Sequence, residues 1–305
     1  MAFTDLGIEP SQGSIEVNES SYDEPTDILN GPFKEEGTVS ILPRANTIGN
    51  FLKLAMGAVS SVQYSNSGVY RHDFRLGTTK PSFTITDNRA LSGVHTRAIE
   101  GCIIKKLTIE APAREVATAE ADVLAAWESL IQYTSAPTML TLSTQRPLLF
   151  VDGSVTLAGA ALANVESFRM NVPENSVADD HYEVGSRKLP GVEIEGAKIT
   201  GEVDLKFKSW AARQAFYATG TPTEPSSKEN NPLAMTIALN GPATGKTAQG
   251  APTNYGLTFN TSGAVFVESE SPVSKRERLT QRFAFTCKAD STGTYIRLDN
   301  DVSSY

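Results

Sequence analysis

Alternation of apolar and polar residues at a spacing of two is the feature that most limits how this chain can fold. In GEVDLKFK, Val203, Leu205 and Phe207 alternate with Glu202, Asp204, Lys206 and Lys208. Successive side chains of a strand point to opposite faces, so the pattern predicts a strand with one face in a core and one in water. Phe168, Met170 and Val172 repeat it around Arg169 and Asn171, and Met235, Ile237 and Leu239 repeat it around Thr236 and Asn240. Phe283, Phe285 and Cys287 do so opposite Arg282, Thr286 and Lys288. Gly, Pro, Ser and Asn clusters punctuate the runs, as turns require. The expectation is a mainly β, antiparallel chain.

Two short helices are expected to interrupt the strands. In the first, Asn46 caps the start, Ile48, Phe51, Leu52 and Ala55 share a face, and Gly57 closes the end. In the second, Ser209 is the cap, Ala212, Ala215 and Phe216 share a face, Gly220 closes it, and Trp210 sits in the first turn as a core aromatic. These helices expose an internal repeat. GTVSILPRANTIGNFLKLAMG (Gly37–Gly57) and GEVDLKFKSWAARQAFYATG (Gly201–Gly220) share the order Gly-x-Val-x-apolar strand, capping residue, amphipathic helix, closing Gly. PSFTI (Pro81–Ile85) is echoed by LAMTI (Leu233–Ile237), and KLTIE (Lys106–Glu110) by GLTFN (Gly256–Asn260). A long polar loop is expected before each repeated strand, around Tyr22–Glu36 and Tyr182–Gly196. The expectation is a tandem duplication divided near Pro147: a first unit over 1–147 with an acidic N-terminal arm at 1–36, and a second over 148–305. One segment is ambiguous. Ala113–Tyr133 has the alanine and glutamate of a helix, yet Val116, Thr118, Glu120 and Asp122 alternate with Ala117, Ala119, Ala121 and Val123. Its first half is read as a strand.

The 305 residues, 40% of them hydrophobic and 20% charged, suffice for an ordinary core. No apolar run approaches the ~18 residues of a membrane span, and MAFTDLGIEP lacks the basic and apolar regions of a secretory signal. Cys102 and Cys287 are read as two small buried hydrophobes of a reducing compartment. The net charge is -8, and the first 36 residues hold nine Asp or Glu against Lys34 alone. Tight nucleic-acid binding needs the opposite sign, whereas a surface past which DNA must slide is compatible with it.

No arrangement of residues points to catalysis. GPATGKT (Gly241–Thr247) looks like a phosphate-binding loop, but its first Gly is one residue too close, Pro242 removes an N–H, and AQGAPTNYG cannot start a helix. Asp179, Asp180, His181 and Glu183 cluster without a second ligand group at helical or strand spacing and read as a solvated loop. His72, His95 and His181 are scattered. Lys275, Arg276 and Arg278, interrupted by Glu277, are either a solvated strand start or a patch that pairs with an acidic neighbour. The sequons at Asn18 and Asn260 carry no weight without a secretory signal. Catalytic, cofactor and metal sites are therefore all expected to be absent.

Taken in order, these pieces resemble the phage tail tube proteins of long-tailed phages. The likeness starts with the Gly-x-Val-x-Ile strand and the helix ending at Gly57, then YRHDF (Tyr70–Phe74), PSFTI and GCIIKKLTIEAP (Gly101–Pro112). PLLFVDGSVTLAG (Pro147–Gly159), NVESFRMNVPEN (Asn164–Asn175), GSRKLPGVEIEGAKITGEVDLKF (Gly185–Phe207) and RFAFTCKA (Arg282–Ala289) follow. The succession VTLAG, NVESFxMxV, GSR, EGxxxxGEVDLxF is its most specific part, and the first 36 residues match least. The resemblance implies a compact β-sandwich or barrel flanked by a helix and a structural role without enzymatic activity. It implies rings of six or pseudo-six tube domains around a DNA-sized lumen, either trimers of duplicated chains or true hexamers, stacked through a long loop. The implied partners are further copies of the chain, tape measure, terminator and baseplate or tail-tip proteins, and DNA that passes without specific binding. The implied setting is the virion, with assembly in the host cytoplasm. The rival readings are a terminator or baseplate ring, and a carbohydrate-binding or hydrolytic β-sandwich.

Overall fold

The computed structural model describes residues 4–18, 24–64, 67–90, 94–133, 145–162, 164–178, 182–189, 191, 193–207, 232–246, 254–270, 280–288 and 293–305. In chain order the elements are β1 (Asp5–Val17), β2 (Asp27–Ile41), α1 (Ile48–Met56), β3 (Gly57–Gln63), β4 (Tyr70–Leu76), β5 (Phe83–Ala90), β6 (Val94–Ala111), β7 (Thr118–Ala125) and β8 (Trp127–Tyr133). A short 3-10 turn at Phe150–Asp152 precedes β9 (Gly153–Leu157), β10 (Ala160–Ala161), β11 (Val165–Ala178), β12 (Glu193–Lys206), β13 (Leu233–Ala243), β14 (Asn254–Glu270), β15 (Thr280–Cys287) and β16 (Tyr295–Asn300). The chain is mainly β, and its strands pair antiparallel in one large sheet.

The main path through the sheet runs β1-β2-β7-β6-β11-β12-β15-β14 before continuing to β13 and β9. Its first four strands and its next four follow one plan: a hairpin, then the second strand of a later hairpin, then the first. The registers coincide as well. Gly37 of β2 lies between Ile8 and Val123, and Gly201 of β12 lies between Met170 and Phe285. The β6–β7 pairing skips a residue between Ile104 and Lys106, and the β14–β15 pairing skips one between Phe266 and Glu268. In both halves the long strand continues past this ladder into a three-stranded ribbon, β5-β6-β8 in one and β13-β14-β16 in the other. Phe83 opposite Cys102 matches Leu233 opposite Ala264, each followed by the same shift before Ile85 and Met235. The PSFTI–LAMTI echo is therefore two residues out of register, and KLTIE faces β7 while GLTFN faces β13 and β16, so that second echo is one of composition and not of position.

The predicted inward residues are inward. Val203, Leu205, Phe168, Met170, Val172, Met235, Ile237, Leu239, Phe283 and Phe285 belong to one core cluster that also draws on β1, β2, β4, β6, β7, β16 and α1. The two aligned glycines explain the Gly-x-Val-x-apolar motif. A Cβ on Gly37 would strike the Gly7 carbonyl, and one on Gly201 would lie 2.9 Å from the Arg169 carbonyl oxygen and meet the Phe285 ring. Each glycine lets two neighbouring strands close up.

Ala113–Tyr133 contains no helix: β7 and β8 follow one another across Ala126, whose N–H is bonded to the Glu100 carbonyl. Asp27–Glu36, expected as loop, is strand, because β1 supplies a partner along its whole length. The first helix forms as expected, with Ile48, Phe51, Leu52 and Ala55 buried and Gly57 at its end in the left-handed region (φ 90°). Its start differs, since Thr47 occupies the cap position and makes no side-chain capping bond. Asn46 serves the C-terminal tail instead, its Oδ1 accepting the Asp301 N–H at 3.3 Å. Tyr305 ends that tail against the helix and the His72 and Phe74 rings, accepting a 2.6 Å hydrogen bond from Asn300. The second expected helix, 209–220, lies outside the described residues.

Candidate assembly surface

Because the sheet buries one face, the other carries most of the polar residues of the alternation, arranged by the strand registers into rows. One row runs Thr38, Asp122, Lys106, Glu174, Lys198 across β2, β7, β6, β11 and β12. A second runs Ser40, Glu120, Thr108, Asn171, Thr200, Thr286. A third runs Thr118, Glu110, Arg169, Glu202, Ala284, Glu268. Opposite charges meet within these rows, as in Lys106–Asp122 at 3.2 Å and Lys198–Glu174 at 3.3 Å, and Arg282 reaches Asp204 at 2.9 Å. The middle row carries one charge, Glu120, and is otherwise hydrogen-bonded: Thr108 donates to Asn171 at 3.0 Å, and Asn171 donates to Thr200 at 2.9 Å. Acidic residues still outnumber basic ones along these strands, with Glu110, Glu120, Asp122, Glu174, Glu202, Asp204 and Glu268 against Lys106, Arg169, Lys198, Lys206 and Arg282.

Both ends of the eight-strand path are open among the described residues. β1 pairs with β2 on one side and with nothing on the other, and β14 beyond Ala264 pairs with β15 on one side only. Val267, in that stretch, is 59% exposed. A row of unpaired N–H and C=O groups is a template for another strand.

The β1–β2 hairpin projects beyond β7 as an arm. Near its tip Ile15, Ile28 and Leu29 are 51, 64 and 48% exposed, an unusual concentration of bare aliphatic side chains. The expected second loop packs against the base of this arm. The Phe33 N–H bonds the Arg187 carbonyl at 2.9 Å, Arg187 Nε donates to the Gly31 carbonyl at 2.9 Å, and the Tyr182 hydroxyl donates to the Phe33 carbonyl at 3.1 Å. The Lys188 ammonium lies 4.1 Å from the centre of the Trp127 ring, which also meets Phe33 at 4.9 Å. The two segments singled out as separate polar loops therefore form one structure.

The arm is pinned through charge. Glu35 of β2 is fully buried and bonds Arg97 of β6, which also donates to Glu128 of β8 at 2.6 Å. Burial pushes the Glu35 carboxyl above the usual range; the Arg97 guanidinium pulls against this, and Glu128 adds to the rise. On the next residue the balance reverses. Partial burial favours a neutral Glu36, but Lys34 at 3.1 Å and Lys105 at 3.4 Å outweigh it and hold the carboxyl low.

The residues considered for chemistry stay apart. Gly241 ends within β13, and Thr244–Lys246 leads into no helix among the described residues. Glu183 is exposed, while 179–181 lie outside the described residues, as do 271–279 with the basic patch Lys275, Arg276 and Arg278. His72 is buried beneath the C-terminal tail and His95 lies exposed on the β6 ribbon. Burial raises the Cys102 thiol to about 12 and the Cys287 thiol to about 11, which leaves both unreactive near neutrality. Among the described residues no group of His, Cys, Asp and Glu could hold a metal, and no helix is long and apolar enough to cross a membrane. The signal that sequence reasoning missed is the arm tip, where Ile28 and Leu29 are adjacent and break the alternation.

Comparison with curated proteins finds no match. The phage tail tube protein family, in contrast, matches residues 4–287, including the N-terminal arm that had shown the least likeness. A polar sheet face, two open edges and a match over nearly the whole length agree: the chain belongs to the phage tail tube protein family, a family of structural tail components.

Proposed function

We propose that copies of this chain join edge to edge into closed rings, and that the rings stack into the hollow tube through which phage DNA reaches the host. Family membership combined with a sheet path open at both ends carries this reading. Ring closure removes every free edge at once, which no monomer of this topology achieves. The bore argues for the number of copies. A barrel of about eight strands is filled by its own side chains, and one of about sixteen leaves an aqueous channel. Three copies give a wider opening suited to a duplex, so we read the ring as a trimer in which each chain supplies two tube units, 1–147 and 148–305. The apolar face carries α1 and the core, which a bore has no room for, so the polar face lines the lumen. Its acidic excess repels phosphate and keeps DNA from sticking. The arm, braced by the 182–189 segment, reaches the adjacent ring, with Ile15, Ile28 and Leu29 as its contact.

Electron microscopy of the purified chain tests this. Long hollow tubes are expected at high concentration or on addition of tail-tip initiators. Isolated rings point to a terminator or baseplate part, and protein that stays single under both conditions overturns the reading.

A further inference from the structure

The internal symmetry of the sheet specifies the joint between copies more closely than the family does. Where the two units meet inside the chain, β6 of the first pairs with β11 of the second: Met170 faces Ile109, Asn171 faces Thr108, and Glu174 faces Lys106. By register, β11 corresponds to β1, because Met170 and Ile8 both stand opposite the aligned glycines. Likewise β6 corresponds to β14, because the same one-residue skip falls at Ile104/Lys106 and at Phe266/Glu268. The edge that β6 offers to β11 is thus the edge that β14 leaves open past Ala264, and the edge that β11 presents is the one that β1 leaves open.

We propose that β1 of one copy pairs antiparallel with β14 of the next at Glu268–Glu270, the residues that correspond to Lys106–Thr108, in the register of the internal β6–β11 joint. This rests on the ring reading above and identifies its contact. Transferring the internal register places Glu9 opposite Glu270 of the neighbouring copy. β11 carries an extra residue between Asn171 and Glu174 that β1 lacks, so Glu174, which faces Lys106, corresponds to Ser11, and Ser11 falls opposite Glu268. The joint is heterologous, so one surface of each copy meets a different surface of the next and the chain of contacts closes only as a ring.

Engineered cysteines test the register. Ser11 and Glu268 are both exposed, so the fold should tolerate S11C and E268C. Under mild oxidation the double variant is expected to give a ladder of disulfide-linked oligomers that stops at the ring size, three copies. Mixing the two single variants is expected to give dimers and nothing larger. Moving one cysteine to the opposite face of β1, as Q12C with E268C, should reduce the yield at least tenfold. Tubes that form normally while S11C/E268C fails to cross-link, or cross-links no better than Q12C/E268C, overturn this joint and leave the tube reading standing. A wild-type chain that forms neither rings nor tubes overturns both.

Discussion

Two buried polar side chains show how single residues hold this fold together. Arg97 is the main counter-charge to Glu35, and removing one member of a buried pair leaves the other charge stranded. R97M should destabilise the chain by about 3 kcal/mol, measured as a shift of the urea midpoint at unchanged slope. His72 is held as a neutral ring. Its Nε2 lies 2.8 Å from the Val302 carbonyl and 3.1 Å from Asn300 Oδ1, both acceptors, so that nitrogen carries the proton and Nδ1 accepts from Ser61 at 2.7 Å. Burial depresses its pKa below the ordinary 6.5, against the opposing pull of Asn300, Val302 and Asp73. The freed ring binds a proton first, so the stabilisation is complete above about pH 6.5 and is lost as pH falls through the depressed folded value. Amide exchange in Asp301–Tyr305, corrected for intrinsic rates, should quicken as pH falls below about 6.5. In H72Q that step should vanish.

At the level of elements, the arm and the ribbons differ in what they must bury. β11, β12 and β15 each cover core with one face, so their alternation was plain in the sequence. In the β7 segment the inward residues Ala117, Ala119, Ala121 and Ala125 are all buried, but so small a side chain contrasts little with its polar neighbours. Helix propensity therefore competed with a strand pattern that was present. The arm was harder still. Past Gly31 both faces of its hairpin meet solvent, which erases any period-two signal and leaves a polar segment resembling a loop. Deleting Asp27–Glu36 would strip β1 of most of its partner and leave Arg97 without Glu35, so point changes at the tip are the sound probe of its role. I15S/I28S/L29S should leave thermal stability within about 1 kcal/mol, since exposed positions contribute little. In electron micrographs the same variant should yield rings that do not stack into tubes; tubes of normal length would remove the arm from the stacking contact.

Across the whole molecule, local patterning and long-range pairing were unequally legible. Inward residues, α1 and the order of the strands along the chain follow from spacing and capping chemistry that act over a few residues. The joints do not. β4 lies beside β16, so that Tyr70 faces Asn300, and β6 lies beside β11, because edges left open by local hairpins find each other regardless of separation. The tandem echo at Gly37 and Gly201 is a long-range clue that the sequence does carry, readable because both glycines meet the same steric demand. The β6–β11 joint also bears on how quickly a ring can nucleate. Tethering its two halves in one polypeptide turns a bimolecular encounter into an intramolecular one, at an effective local concentration of roughly millimolar order. With half of its seams already sewn during synthesis, the ring of three proposed above would need only three collisional seams where a ring of six single-unit proteins needs six. On the proposed trimer, the critical concentration for the first ring falls accordingly, and the collar would present three identical docking positions to whatever caps its ends.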